Sequence, residues 1–156
     1  MRAESGGPLQ GIRIIELGHY VAAPFCTRLL ADLGAEVIKV EPARGDPVRG
    51  WGPKKNGASP WWSVHGRNKK SVVVDLKTPE GRERILDLVR LSDALVENFR
   101  PGQLDRLGLG DAALRGARPD LVIAHISGFG QDGPLRDFAA FGVIGEAMGG
   151  LRYLTD

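Results

Sequence analysis

A chain of 156 residues, 42% hydrophobic and 26% charged, has the material for one soluble domain with a proper core, but is short for a two-domain enzyme. Its net charge of +2 argues against bulk nucleic-acid binding, no apolar run approaches the ~20 residues of a membrane helix, and the stretch before Pro8 does not read as a secretory signal. Cys26 is the single cysteine, which excludes an internal disulfide and a cysteine-built metal site and points to a reducing cytoplasm.

The β-branched run 12–17 ends at Gly18 and predicts a strand. Behind Pro24, apolar residues at 25, 29, 30 and 33 share one face of a helix that Gly34 closes. Residues 36–40 predict the next strand, so a parallel crossover unit occupies the first third of the chain. Ser59 and Pro60 can open a short helix through Trp61, Trp62 and Val64, and 71–75 predicts a third strand. Thr78, Pro79 and Glu80 supply a cap, a first-position proline and a first-turn acid to a helix expected to bury Ile85, Leu88, Val89 and Leu91. Runs 94–97 and 121–126 predict two more strands. This alternation predicts the α/β class: a Rossmann-like open parallel sheet with helices on both faces, its turns supplied by 22 glycines. The segment 43–70 is long for a connection in such a domain, which marks it as a candidate functional loop.

Ligands of open α/β sheets sit at the carboxyl ends of the strands. The first such loop, 18–24, lacks the G-x-G-x-x-G that brings backbone close to a pyrophosphate, and Glu41 alone is a weak ribose signal. No Walker A sequence is present, so a dinucleotide or nucleoside-triphosphate domain is a distant alternative. Cations are plentiful near the strand ends: Lys39, Arg44, Arg49, Lys69, Lys70, Lys77, Arg100 and Arg106. Such a crescent would suit a ligand with several phosphates; on composition alone, a scattered solvated surface fits as well or better.

Several stretches, in order and at matching spacing, resemble the family III CoA-transferases, whose relatives include the α-methylacyl-CoA racemases. They are Pro8-Leu9-Gln10-Gly11, the run from Leu30-Ala31-Asp32-Leu33-Gly34 to Glu41, Gly45-Asp46-Pro47-Val48-Arg49, and Asn68-Lys69-Lys70-Ser71 with Asp75-Leu76-Lys77. Val96-Glu97-Asn98-Phe99-Arg100-Pro101-Gly102, Leu104-Asp105-Arg106-Leu107-Gly108 and Ser127-Gly128-Phe129-Gly130-Gln131 complete the set. The resemblance implies that residues 1–156 are the N-terminal, CoA-binding part of the large domain. CoA or acyl-CoA would enter as substrate, with a carboxylic acid as co-substrate and no tightly bound cofactor or metal. By the matching motifs Asn98 would lie beside the pantetheine arm, with backbone contacts from Val74 and Leu76. Lys77 and Arg106 would face the nucleotide end, and His19, Tyr20, Val21 and Ala22 would lie near the thioester. Each has a plainer alternative: an Asx turn for Asn98, a pair with Asp105 for Arg106, a solvated turn for Lys77.

The chemistry so implied is covalent: an aspartate carboxylate attacks the thioester, giving an acyl–aspartyl anhydride and then an aspartyl–CoA thioester. That aspartate belongs to a Gly-Asp-Ser-like motif outside residues 1–156, so no catalytic residue is expected among them; Asp132, Asp137 and Asp156 do not stand in the motif. Full-length members of the family resemble interlocked ring homodimers with a small C-terminal domain. A racemase is an alternative, but its Gly-His-Asp is replaced by Ala140-Phe141-Gly142. A fragment that binds CoA without turning it over is another.

Overall fold

The computed structural model describes residues 6–155. Within them β1 (Arg13–Glu16), β2 (Glu36–Glu41), β3 (Lys69–Val73), β4 (Ala94–Glu97) and β5 (Val122–His125) form one parallel sheet in the order β3-β2-β1-β4-β5. The connections carry α1 (Ala22–Asp32), α2 (Pro60–His65), α3 (Pro79–Arg90), and α4 (Gln103–Arg106) with α5 (Asp111–Ala117); α6 (Gly142–Met148) follows β5. The chain starts at β1 in the centre, moves outward to β3, then returns to lay β4 on the other side of β1. The carboxyl ends of β1 and β4 therefore flank the point where the winding reverses, the place where open sheets of this kind hold ligands.

Alternation along the strands sends side chains to two cores. Ile15, Leu17, Val40 and Leu95 pack with Ile85, Val89, Leu109 and Leu114 under α3 and α5. Ile14, Val37 and Val96 pack with Ala23, Ala31 and Ala35 under α1. Helices thus cover both faces, as the alternating pattern predicts. The expected caps form: Ser59 accepts from the Trp62 N–H, Thr78 accepts from the Gly81 N–H, and Gly34 takes φ +101° to close α1. Leu91, expected in the buried face of α3, is instead the residue that ends that helix, and it lies exposed.

Two boundaries differ from expectation. α1 starts at Ala22, ahead of Pro24. β3 occupies 69–73 and not 71–75, because its two opening lysines are accommodated by carboxylates on β1 and β2: Lys69 pairs with Glu16 and Lys70 with Glu36. Val74 has left the ladder of β3, although its N–H still donates to the Glu41 carbonyl at 3.0 Å.

Beyond β5 the burial collapses. Phe138, Phe141, Met148, Tyr153 and Leu154 are all exposed, Leu154 at 78%, and so is Val122 on the outer edge of the sheet. An apolar surface of this extent is unusual on a free-standing domain and marks a face that ordinarily packs against something. No helix among the described residues is long and apolar enough to cross a membrane.

Candidate functional site at the switch point

The loop that leaves β1 is held from several directions by side chains. Asn98, just past β4, uses its whole amide on His19: Oδ1 accepts from the His19 N–H at 2.8 Å and Nδ2 donates to the His19 carbonyl at 2.9 Å. The next N–H, of Tyr20, donates to Asp46 Oδ1 at 3.3 Å. Tyr20 itself sits at φ +62°, a left-handed conformation that a bulky residue adopts only where its surroundings impose it. The two ends of the loop are anchored by buried lysines: Lys39 Nζ donates to the Gly18 carbonyl at 2.9 Å and Lys69 Nζ to the Pro24 carbonyl at 2.7 Å.

Those lysines belong to a charge cluster buried beneath α1. Glu16 takes Lys39 at 2.6 Å, Lys69 at 2.7 Å and the Thr27 hydroxyl at 2.6 Å, and Lys39 also pairs with Asp46 at 2.8 Å. The side chains of Glu16, Lys39, Asp46 and Lys69 are each at most 2% exposed. Two cations and two anions cancel, which is the condition for keeping charges out of water. Burial pulls the Lys69 ammonium pKa down while Glu16 opposes the shift. A second balanced unit lies beside it. Burial would raise the Glu41 carboxyl, but Arg49, Ser71 and the Asp46 N–H outweigh it and hold it at about 2, so Glu41 stays ionised and paired at 2.6 Å.

The expected cationic crescent is therefore corrected. Lys39 and Lys69 are internal, Arg49 is committed to Glu41 and stacked 3.6 Å over the Trp62 ring, and Lys70 is paired with Glu36. Charge that the sequence offers to phosphate is spent inside the fold. Of the eight cations of that crescent, Arg44, Lys77, Arg100 and Arg106 remain exposed, with no ion pair among the described residues. Arg106 does not pair with Asp105. Lys77 sits in a turn where its own N–H donates to Asp75 Oδ1 at 3.0 Å, while Leu76 is half-buried against the core.

The His19 ring packs edge-on against Phe99 at 5.1 Å, with Nδ1 buried and unbonded. Burial lowers its pKa, with Lys39 and Arg44 adding to the shift against Asp46, so the ring is neutral near pH 7. Val21 and Ala22 are exposed, and no side chain caps the N-terminus of α1. The exposed start of α1 at Ala22 thus carries the positive end of the helix, while Ala23 behind it is buried. Tyr20 leans on Trp51 at 5.6 Å and Trp51 on Trp61 at 5.9 Å, forming an aromatic wall from the 43–70 segment beside the loop.

The structure thus brings His19, Tyr20, Val21, Ala22 and Asn98 together, and places Val74, Leu76 and Lys77 after β3 and Arg106 on α4. His125, at the end of β5, is partly exposed and lines a cleft of ≈ 380 Å³ at the ends of β4 and β5. Sequence reasoning did not find Glu16, Asp46 or the Tyr20–Trp51 contact. The signal for the first was available, since an acid inside Ile14-Ile15-Glu16-Leu17 and a lysine inside Val37-Ile38-Lys39-Val40 are charges in strands that the sheet buries on both faces.

The family model described as CoA-transferase family III matches residues 9–156. The chain belongs to CoA-transferase family III. The succinyl-CoA–D-citramalate CoA-transferase of Chloroflexus aurantiacus is 54% identical over 150 residues, covering 95% of this chain and 37% of that protein. The succinyl-CoA–L-malate CoA-transferase beta subunit of the same organism is 45% identical over the same share of each chain. The crystal structure of a CaiB/BaiF family protein from Brucella suis superposes with a TM-score of 0.88 at 38% identity, over 93% of this chain and 40% of that one. The chain accordingly spans 37% of the length of these first two family relatives.

Gly18 is the tightest point of the site in this family III chain. A Cβ there would lie 2.3 Å from the Ala23 Cβ and 2.7 Å from Asn98 Oδ1. Gly18→Ala is expected to push Asn98 off His19 and to lower stability by about 1–3 kcal/mol, the usual cost of overpacking. A urea midpoint equal to wild type would show that the turn has room.

Proposed function

We propose that this chain is the CoA-binding portion of an enzyme that moves CoA from an acyl-CoA thioester to a carboxylic acid. The observation that carries the reading is the immobilised His19–Ala22 loop, clamped by Asn98 at the switch point of a sheet in a family III chain. In this reading the pantetheine arm passes beside Asn98, whose amide acts by holding His19, and meets Leu76 and the Val74 carbonyl. Val74 has already given its N–H to Glu41. Lys77 and Arg106 attract the phosphates. The exposed start of α1 at Ala22, which no side chain caps, is placed to steady the thioester oxygen as it gains charge. A neutral His19 suits that position, since it adds no proton source beside a nascent thiolate. The reacting carboxylate is an aspartate outside residues 1–156, passing through an anhydride and an aspartyl–CoA thioester. The complete enzyme works as a homodimer in the cytoplasm. Relatives are named for succinyl-CoA with citramalate or malate, so succinyl-CoA and a hydroxylated dicarboxylate are the first donor and acceptor to try.

Calorimetry with free CoA tests the binding half. Affinity should fall as salt rises, and Arg106→Ala should weaken it about 10- to 150-fold, as loss of a charge-assisted bond worth ~1.5–3 kcal/mol implies. Asn98→Ala should weaken it through the released loop. Arg90→Ala, on α3 at the opposite end of the sheet and paired with Asp87, should bind as wild type does. Equal affinity in wild type and the Arg106 variant removes this assignment.

A further inference from the structure

The cleft at the ends of β4 and β5 contains a relay that the CoA reading leaves unused. Both ring nitrogens of His125 face carboxylates: Nδ1 meets Glu97 Oε1 at 2.5 Å and Nε2 meets Asp111 Oδ1 at 3.0 Å. The other oxygen of Glu97 accepts the Phe99 N–H at 2.5 Å. Between Glu97 and Phe99 stands Asn98, the clamp on His19. The first residue of α5, the end of β5 and the end of β4 are thus joined by hydrogen bonds, and the short backbone stretch Glu97-Asn98-Phe99 connects them to the clamp on the loop after β1.

A neutral imidazole has one N–H to donate. With both nitrogens against carboxylate oxygens, one contact would then set lone pair against lone pair. The arrangement closes only if the trio holds one proton more than a neutral ring and two carboxylates would, whether that proton rests on the ring or on Glu97. We propose that Glu97 and His125 are positioning residues of a proton-held latch: closed, it fixes the Asn98–His19 loop for CoA, and loss of its proton frees the loop and weakens CoA binding.

This rests on the reading of that loop as the CoA site. Glu97 comes to the ring from β4 and Asp111 from α5, while Arg100 and Asp105 line the same cleft from the β4–α5 connection, with Gln131 from the segment after β5. Burial pushes His125 toward its neutral form, but Glu97 and Asp111 outweigh it and its pKa ends above 6.5. Burial likewise raises Glu97, against the pull of His125 and the Phe99 N–H. The sign follows: a group with a raised folded pKa gives its full stabilisation below the unfolded value near 6.5 and loses it as pH rises through the higher folded value. The latch is closed in mild acid and opens on the alkaline side.

The test follows the whole chain by NMR from pH 5.5 to 9. The His125 ring should titrate above 6.5, and Asp111→Asn, a change at an exposed side chain, should bring its midpoint down. Amide exchange at His19 and Phe99, corrected for the intrinsic pH effect, should accelerate about tenfold across that midpoint, the order expected when one hydrogen bond holding the loop is lost. In His125→Gln it should be fast and pH-independent throughout. CoA affinity measured over the same range should fall with the same midpoint. Exchange at His19 that ignores both the His125 titration and the Asp111 substitution overturns the latch, whatever CoA does. Exchange that tracks His125 in a chain that binds no CoA at any pH keeps the latch and removes the CoA reading.

Discussion

Lys39→Met should leave the domain unfolded or close to it. The ammonium is 1% exposed and is shared by Glu16, Asp46 and the Gly18 carbonyl. Removing it leaves two carboxylates in the interior with Lys69 as the one remaining cation among the four. Breaking a buried pair in this way costs ~3–5 kcal/mol, against a total of ~5–15 kcal/mol for a typical domain. Here the total should lie at the low end, because so much apolar surface after residue 127 is exposed. Adding Glu16→Gln to Lys39→Met restores charge balance, with Asp46 against Lys69, and should recover a good part of the loss. Urea unfolding of the wild type, both single variants and the double variant measures the coupling. A Lys39→Met chain with the wild-type midpoint would mean that water reaches the cluster and that the burial is not what holds it. The double variant should keep its fold yet release the Gly18 carbonyl, so weakened CoA binding in a folded protein separates the positioning of the loop from the stability of the sheet.

Much of the fold was legible because local signals agreed with one another. Thr78-Pro79-Glu80 and Ser59-Pro60 open helices where such triplets should, and Gly18 and Gly34 end elements where a side chain would collide or strain. The strand that slipped is instructive. At β3 the apolar pattern starts at Val72, yet the strand starts at Lys69, because Lys69 is satisfied by an acid 53 residues earlier in the chain. Hydrophobic periodicity carries no information about such a partner. The same blindness produced the phosphate crescent. A lysine reads as a surface cation until Glu16, from a different strand, is known to sit beneath it. Asn98 shows the limit from the other side: its position after β4 marks it as a candidate, but only the fold shows that both ends of its amide are taken up by His19. The relay through His125 was out of reach for a further reason, since Glu97, Asp111 and His125 lie on three elements whose adjacency follows from strand order alone.

Residues 1–156 as a polypeptide should transfer no CoA between any acyl-CoA and acid pair. Transfer needs a carboxylate that reaches the thioester carbonyl and survives as a mixed anhydride shielded from water. Asp132 and Asp137 are exposed on the segment after β5, Asp137 beside Arg136, and Asp156 lies outside the described residues. Neither of the two exposed acids has walls that would protect an anhydride from hydrolysis. If the clamped loop binds a thioester as proposed, that binding alone would not suffice, because binding that is equal in ground and transition states does not accelerate the chemical step. Hydroxylamine makes the expectation visible, because it converts acyl–aspartyl and aspartyl–CoA species to a stable hydroxamate. Incubated with succinyl-CoA and hydroxylamine, the 156-residue chain should yield none on any of its aspartates. A chain extended through the family's Gly-Asp motif and its C-terminal domain should form the hydroxamate on the motif aspartate and transfer CoA, and changing that aspartate to alanine should abolish both. A hydroxamate on Asp132 or Asp137 would place the nucleophile inside these residues and overturn the assignment of the chemistry to a segment beyond them.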